Sequence, residues 1–222
     1  MKPVKVGLFT IGQSPRLDVV PEIAPLLLPN IEIVEEGLLD GIPQEEIDLL
    51  KPEFGEKLLI TRLKDGSQVQ LSEKKISSMI HEVIDRMRTK KDVRAVGVLC
   101  THDFHESRFS FPVIFPHHVL NSEITQTLQI NHLGVVIPLE DQVRMASGKW
   151  DIDKATVEVK SPYAEGIEWE EIAHRFIQEN VEAVILDCIG YTEQDKEDLQ
   201  NFLSSPILLP RAVLAQAINQ LF

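Results

Sequence analysis

Residues 184–192 read Val-Ile-Leu-Asp-Cys-Ile-Gly-Tyr-Thr, and this stretch decides the fold. Its first three residues form a short, continuously apolar run, which is typical of a parallel strand buried on both faces. Polar groups begin at Asp187 and Cys188, where such a strand would stop. Because ligands of open α/β sheets bind just beyond the carboxyl ends of the strands, we expect this segment to border a functional site.

A second segment of the chain repeats this pattern. Residues 95–99 form another buried-strand run, and Cys100-Thr101-His102-Asp103 follows directly. The chain contains two cysteines, and both come at the end of such a strand. We therefore interpret Cys100 and Cys188 as the main candidates for chemistry.

Length and charge limit the class of protein. A chain of 222 residues is enough for one large α/β domain or two small ones. Its net charge of -13 argues against nucleic acid or an anionic membrane surface as a partner, because no basic patch offsets the repulsion. No apolar stretch approaches the roughly 20 residues that span a bilayer, and the start of the chain lacks signal-peptide features.

We therefore expect a cytoplasmic protein that binds neither nucleic acid nor membrane. In a reducing compartment the two cysteines are expected to be free thiols and not a disulfide. The sequence allows a homodimer but does not fix the oligomeric state.

The order of predicted elements repeats in two halves. The first half has predicted strands over 4–10, 31–35 and 95–99, helices over 17–28 and 73–89, and a hairpin over 58–62 and 68–71 with Asp-Gly at its turn. The second half has predicted strands over 133–138, 155–159 and 184–186, and helices over 168–180, 193–203 and 212–221. Each half thus runs strand, helix, strand, helix, cysteine-tipped strand.

This repeat predicts an α/β fold of two pseudo-symmetric lobes. We expect mostly parallel sheets flanked by helices, with a cleft between the lobes. The predicted first lobe comprises residues 1–118 and 211–222, and the second comprises 119–210.

The turn after the first strand reads Thr-Ile-Gly-Gln-Ser-Pro-Arg at residues 10–16. A strand, a glycine-containing polar turn and a helix N-terminus together can bind an anion with backbone amides. The turn is therefore a candidate carboxylate cradle. The alternative is a plain strand-to-helix turn in which Ser14 or Asp18 caps the helix.

Four histidines lie close together in the sequence, so a metal site has to be considered: His102, His105, His117 and His118. They show neither a Cys-x-x-Cys nor a His-Glu-x-x-His spacing, and we expect no metal and no other cofactor.

Two thiols at strand ends suit acid/base chemistry at carbon. A thiolate can remove a proton from carbon, and a thiol on the opposite face can return one, if both pKa values lie near the working pH. The hydroxyls of Thr10, Ser14, Thr101 and Thr192 could stabilise the charge that develops on a carboxylate. The alternative is that both cysteines are core residues, since free cysteine is among the most buried residue types.

Two segments resemble the AroM family: Gly-Leu-Phe-Thr-Ile-Gly-Gln-Ser-Pro-Arg at 7–16 and Leu-Asp-Cys-Ile-Gly-Tyr at 186–191. The resemblance extends over essentially the whole chain. More distantly, the layout is similar to that of the aspartate/glutamate/hydantoin racemase superfamily. That resemblance implies two α/β lobes and one cysteine from each lobe beside the substrate's α-carbon, at Cys100 and Cys188. The chain departs from the racemases in having Thr-His after Cys100 and Ile-Gly after Cys188.

The resulting hypothesis is a cofactor-independent racemase or epimerase that acts at the α-carbon of a small carboxylate. Two alternatives stay open: a small-acid decarboxylase or cis-trans isomerase on the same scaffold, and a non-catalytic protein that binds a carboxylate metabolite linked to aromatic biosynthesis. The predicted substrate-binding residues are Thr10, Gly12, Gln13, Ser14, Arg16, Thr101, His102, Gly190, Tyr191 and Thr192.

Overall fold

The computed structural model describes residues 2–104, 109–146, 148–164 and 166–222. The chain divides into two compact units. The first consists of Met1–Phe115 and Ala215–Phe222, and the second of Pro116–Leu214.

The sheet of the first unit has four strands, all paired in parallel. Their order across the sheet is β2 (Ile31–Gly37), β1 (Val4–Thr10), β5 (Ala95–Val98) and β6 (Val113–Ile114). The central strands are buried on both faces, which explains their continuous apolar runs.

The structure corrects the helix that the sequence predicted over residues 17–28. Only α1 (Val20–Ile23) is α-helical there, and a 3-10 turn over Ala24–Leu26 follows it. Pro21 and Pro25 lie inside the predicted span. A proline has no amide hydrogen to donate and its ring crowds the preceding turn, so one continuous helix cannot form across both positions.

A hairpin and a long helix complete the first unit. After the short helix α2 (Gln44–Leu49), strands β3 (Leu58–Arg62) and β4 (Gln68–Ser72) pair antiparallel, as the Asp-Gly turn predicts. Helix α3 (Glu73–Lys91) begins at Ser72, whose hydroxyl accepts the Lys75 amide hydrogen. Its apolar face belongs to the same core cluster as residues of β1 and β5.

The sheet of the second unit also has four strands in parallel. Their order is β8 (Lys154–Val159), β7 (His132–Ile137), β9 (Ala183–Leu186) and β10 (Ile207–Leu208). Its helices are α4 (Pro116–Ser122), which continues as a π-helical turn over Glu123–Thr127, α5 (Val143–Ala146), α6 (Trp169–Gln178) and α7 (Glu193–Gln200). The last helix, α8 (Pro210–Asn219), begins in this unit, and its residues from Ala215 onward belong to the first.

The two sheets share one strand order. In each, the first strand pairs with the second strand on one side and with the cysteine-tipped strand on the other, and a two-residue strand follows at that edge. The α/β class with parallel sheets and flanking helices, predicted from the repeat in the sequence, is confirmed. Within the described ranges, no helix combines the length and the apolar character needed to cross a membrane.

Candidate functional site

Cys100 lies two residues beyond the end of β5 in the first unit. The amide of Leu99 donates to the carbonyl oxygen of Phe9 at 2.7 Å, so the thiol lies at the same sheet edge as the turn after β1. The Cys100 side chain is partly buried against the apolar core of this unit. The backbone N–H of His102 donates to its Sγ at 3.5 Å. A hydrogen bond of this kind favours the charged thiolate over the thiol.

His102 adds an acid/base group close to Cys100 in the chain. Its Nε2 atom lies 3.2 Å from Oε1 of Glu73, the first residue of α3, and its ring packs edge-on against Phe104. Thr101 is buried beside it, with 7 % of its surface exposed. Sequence reasoning missed Glu73, because nothing in the sequence connects the start of α3 with the end of β5.

The turn after β1 satisfies its amide hydrogens within the chain. The Gly12 amide donates to Oγ1 of Thr10 at 3.2 Å. The Gln13 amide donates to the carbonyl oxygen of Arg62, also at 3.2 Å. These two donors therefore fix the turn to itself and to the hairpin.

Ser14 and Arg16, the next hydrogen-bond donors of this turn, bind carboxylates of the chain itself. Ser14 donates its amide hydrogen to one oxygen of Asp40 at 2.7 Å and its hydroxyl to the other at 2.5 Å. The amide of Arg16 donates to Glu35 at 2.7 Å. The pattern predicted a carboxylate at this turn, and the carboxylate present is that of Asp40. These contacts hold Gly12, Gln13 and Ser14 in the turn. Their role in binding a substrate stays a prediction.

Arg16 is also engaged inside the unit. Its side chain is 2 % exposed, and Nε and Nη2 each donate to a different oxygen of Asp18 at 2.8 Å, while Nη1 donates to Thr10. Burial alone would raise the pKa of Asp18, but the Arg16 hydrogen bonds hold that pKa below its ordinary value. Arg16 and Thr10 are thus bound to groups of the chain itself, and their role in binding a substrate stays a prediction.

An open pocket of about 350 Å³ borders the same turn. Its lining consists of Gln13, Ile42, Gln44, Ile47, Leu63, Lys64 and Asp65. The Gln13 side chain is fixed there, because it donates to the Leu39 carbonyl and accepts the Lys64 amide hydrogen. Neither Cys100 nor His102 is among these lining residues, so the pocket is not assigned to the Cys100 site.

Cys188 lies just beyond β9 in the second unit. It is 8 % exposed and packs within an apolar cluster. The backbone N–H of Gly190 donates to its Sγ at 3.4 Å. Each thiol therefore accepts the amide hydrogen of the residue two positions later, and this shared geometry lies at equivalent points of two sheets with the same strand order.

Tyr163 covers Cys188 and is the main residue that the sequence did not reveal. Its hydroxyl oxygen lies 4.0 Å from Sγ. A Cβ atom on Gly190 would lie 2.1 Å from that oxygen, so the ring can pack here only because residue 190 is glycine. Gly190 leaves room for Tyr163 and donates its amide hydrogen to the thiol, and its predicted role in binding a substrate stays a prediction.

Asp187, the residue before Cys188, forms a largely buried ion pair with Lys149. The Lys149 Nζ atom lies 2.6 and 2.7 Å from the two carboxylate oxygens, and the side chains of Lys149 and Asp187 are 15 % and 4 % exposed. Lys149 also lies over the ring of Trp150, 4.9 Å from its centre. No sequence signal relates position 149 to position 187.

A buried arginine holds the loop after Cys188. Arg211, in the first turn of α8, is 1 % exposed, and its Nε and Nη2 donate to the carbonyl oxygen of Ile189 at 3.3 and 2.8 Å. The loop is thus anchored from a second element.

The other predicted residues of this loop serve the fold. Tyr191 is fully buried, its hydroxyl donates to the Lys160 carbonyl, and burial raises its pKa well above the ordinary value. Thr192 caps α7, because its hydroxyl accepts the Asp195 amide hydrogen while its own amide donates to the Asp195 carboxylate. Tyr191 thus belongs to the core and Thr192 to the helix start, and the predicted role of both in binding a substrate stays a prediction.

His117 and His118 belong to no metal-ligand set among the described residues. His117 is buried against Trp150, with ring centres 4.9 Å apart, and His118 is its neighbour. His105 lies outside the described residues. Within the described ranges, no group of three or more histidine, cysteine, aspartate or glutamate side chains is placed to hold a metal ion.

The family model described as "AroM protein" matches residues 6–222. The chain belongs to the AroM family. No curated protein matches it at a significant level.

Solved structures share the fold of this AroM protein at low sequence identity. Glutamate racemase from Francisella tularensis subsp. tularensis SCHU S4, in complex with D-glutamate, is 17 % identical with a TM-score of 0.58, and the match covers 99 % of this chain and 80 % of the racemase. Maleate isomerase Iso from Pseudomonas putida S16 is 13 % identical with a TM-score of 0.62, over 99 % and 93 %. Arylmalonate decarboxylase is 10 % identical with a TM-score of 0.61, over 97 % and 92 %.

These similarities confirm the predicted AroM membership and the racemase-like fold. Identities this low compare folds and not activities.

Proposed function

We propose that this AroM protein is a cofactor-independent enzyme that moves a proton at the α-carbon of a small carboxylate, with Cys100 and Cys188 as acid and base. Racemisation or epimerisation is the first candidate reaction. The single observation that carries the proposal is the shared environment of the two thiols. Each follows an equivalent strand and accepts the amide hydrogen of the residue two positions later.

The chemistry follows from what surrounds each sulfur. An amide hydrogen bond stabilises a thiolate, and the thiolate is the form that removes a proton from carbon. His102 with Glu73 could take up or return that proton on the Cys100 side. The Tyr163 hydroxyl could donate to a developing enolate or to the thiolate on the Cys188 side.

The substrate contacts that we propose are narrower than those that the sequence predicted. Thr101, His102 and Gly190 stay in the proposed set, and Tyr163 joins it. The turn after β1 leaves it, because its amides and the Arg16 guanidinium bind acceptors of the chain itself.

Decarboxylation or cis-trans isomerisation is the second candidate, and the unequal surroundings of the two thiols favour it. Cys188 is buried under Tyr163 beside an ion pair, whereas Cys100 is more exposed. A reaction that needs one thiol would use Cys188 alone. Enzymes of the same fold are named for all three chemistries: glutamate racemase, arylmalonate decarboxylase and maleate isomerase.

The test is a screen of small mono- and dicarboxylates in heavy water, scored by exchange of the α-proton and by loss of carbon dioxide. Exchange reports carbon acidity directly, without knowledge of the product. We expect at least one acid to exchange with wild-type protein and not with a Cys100→Ser/Cys188→Ser double variant. An acid that binds tightly but neither exchanges nor reacts would favour the non-catalytic binding protein instead.

The proposal includes a cytoplasmic location, where thiols stay reduced, and chemistry without a metal. Elemental analysis of protein purified without chelator is expected to give less than one equivalent of zinc. One tightly bound equivalent of zinc whose removal abolishes activity would instead indicate a metal site that involves His102, His117 and His118.

A further inference from the structure

Lys149 and Asp187 form a close ion pair, and Asp187 directly precedes Cys188 in the chain. We propose that Lys149 is a positioning residue for Cys188: its ammonium group neutralises the Asp187 carboxylate, so that the adjacent thiol can carry negative charge. The inference deepens the proposed function and rests on Cys188 being its acid/base group.

Geometry makes the pair tight. One Nζ atom reaches both oxygens of Asp187 at 2.6 and 2.7 Å, and both side chains are largely removed from solvent. Exposed ion pairs contribute little because water screens them, but a buried charge that loses its partner is strongly unfavourable. Lys149 and Asp187 therefore act as a unit.

The position of Asp187 makes the pair relevant to chemistry. Asp187 precedes Cys188 directly in the chain, so the two side chains start from Cα atoms about 3.8 Å apart, and a negative charge at such short range raises the pKa of a thiol. A cation paired with that carboxylate offsets the effect. Without Lys149, the Asp187 carboxylate would therefore oppose ionisation of Cys188.

Other charged and titratable groups lie near this strand end, and they are the same in all the variants proposed below. In the described part of the second unit they are Lys160 and Tyr163 after β8, Tyr191 and Asp195 at the start of α7, and Arg211 in α8. Tyr191 stays uncharged over the working range because burial raises its pKa. None of these groups differs between the variants below, so any change in the titration reports the pair.

The experiment titrates the Cys188 thiol by the 13Cβ chemical shift of labelled cysteine, in a Cys100→Ser background that leaves one signal. This measurement needs neither a substrate nor a reagent that reaches the thiol. Lys149→Met is expected to raise the pKa of the Cys188 thiol by about 1. The fraction of thiolate at neutral pH then falls about tenfold. Asp187→Asn is expected to shift it in the opposite direction, and the double variant is expected to return near the starting value.

Two controls separate positioning from general loss of structure. Lys149→Arg keeps the charge and is expected to keep the pKa. Lys154→Met removes the exposed pair with Glu179 in the same unit and is expected to change nothing at Cys188. If Lys149→Met does not fold, the lower Cys188 pKa of Asp187→Asn and its return toward the wild-type value in the double variant still decide.

A Cys188 pKa that is the same in all folded variants overturns the inference. Because the titration is independent of turnover, this result differs from failure of the proposed function, which would appear as no α-proton exchange by wild-type protein with a normal response to Lys149→Met.

Discussion

Gly190 sets how closely an aromatic ring approaches the Cys188 thiol. A Cβ at this position would lie 2.1 Å from the Tyr163 hydroxyl oxygen and 2.4 Å from the ring carbon that bears it. The clash is with the far end of one side chain, so we expect Gly190→Ala to displace Tyr163 at a cost of about 1 kcal/mol in the free energy of unfolding. With its cover moved, Cys188 should react several-fold faster with iodoacetamide in a Cys100→Ser background.

Gly148→Ala is the matched control, because a Cβ there meets no atom within 4 Å. Tyr163→Ala should speed alkylation by itself, and adding Gly190→Ala to it should have little further effect. Unchanged alkylation in a folded Gly190→Ala variant would contradict the cover that Tyr163 provides.

His132 gives the second unit a dependence on pH. It is 7 % exposed, and burial, assisted by the charge of Lys154, lowers its pKa below the ordinary 6.5. Glu179 and Glu182 oppose that shift without cancelling it. The unfolded chain therefore binds a proton more readily than the folded one, and stability present above pH 6.5 is lost as pH falls below it.

We expect His132→Gln to reduce the fall in unfolding free energy between about pH 8 and about pH 5, measured by urea denaturation. His174→Gln, which changes an exposed histidine of α6, should leave that fall unchanged. Equal slopes in wild type and His132→Gln would show that His132 is not the group responsible.

At the scale of elements, the turn after β1 depends on a carboxylate from the neighbouring strand's loop. Asp40 accepts hydrogen bonds from the Ser14 amide, the Ser14 hydroxyl and the Gly37 amide. Asp40→Ala leaves these donors without an acceptor and should lower the free energy of unfolding by about 1 to 3 kcal/mol. Formate should restore part of the loss and raise the unfolding temperature of this variant more than that of wild type.

Asp65→Ala is the control, since Asp65 also accepts the amide and hydroxyl of a serine, Ser67, but on the exposed hairpin turn. Formate should not distinguish that variant from wild type, and chloride at equal ionic strength should rescue neither. If wild-type protein crystallised with a small acid held it on the Ser14 amide, the assignment of this turn to Asp40 would be wrong.

The elements also show where sequence reasoning works. Strand β1 was predictable to the residue, because its buried part leaves an apolar run over residues 6–9, and the hairpin was predictable from its Asp-Gly turn. The prediction of a helix over 17–28 failed because Pro21 and Pro25 interrupt the backbone hydrogen bonds that a continuous helix needs. The anion-binding pattern at residues 10–16 was recognisable, but the sequence could not reveal that Asp40 fills it, since that contact depends on tertiary structure.

At the scale of the whole molecule, two four-stranded parallel sheets have the same strand order. Each has a cysteine just beyond the equivalent strand, β5 in one sheet and β9 in the other. The repeat was visible in the sequence because both cysteines end buried-strand runs. The sequence did not predict the roles of three residues: Glu73, Lys149 and Tyr163. Each is separated from its partner by 25 or more positions in the sequence, so the contact depends on the tertiary fold.

The proposed division of labour between the thiols concerns the molecule as a whole. If each thiol serves one face of a planar intermediate, interconversion of enantiomers needs both, whereas exchange of the α-proton needs one. Serine is a poor replacement, because its hydroxyl ionises far less readily than a thiol with a pKa near 8.5.

The most direct measurement is therefore α-proton exchange in heavy water by Cys100→Ser and Cys188→Ser, each shown to be folded by circular dichroism, on the acid that wild-type protein exchanges. The account predicts that interconversion falls by at least about a hundredfold in both variants, while each variant still exchanges one enantiomer, a different one in each case. Full activity of both folded variants would contradict the account and leave the cysteines as core residues.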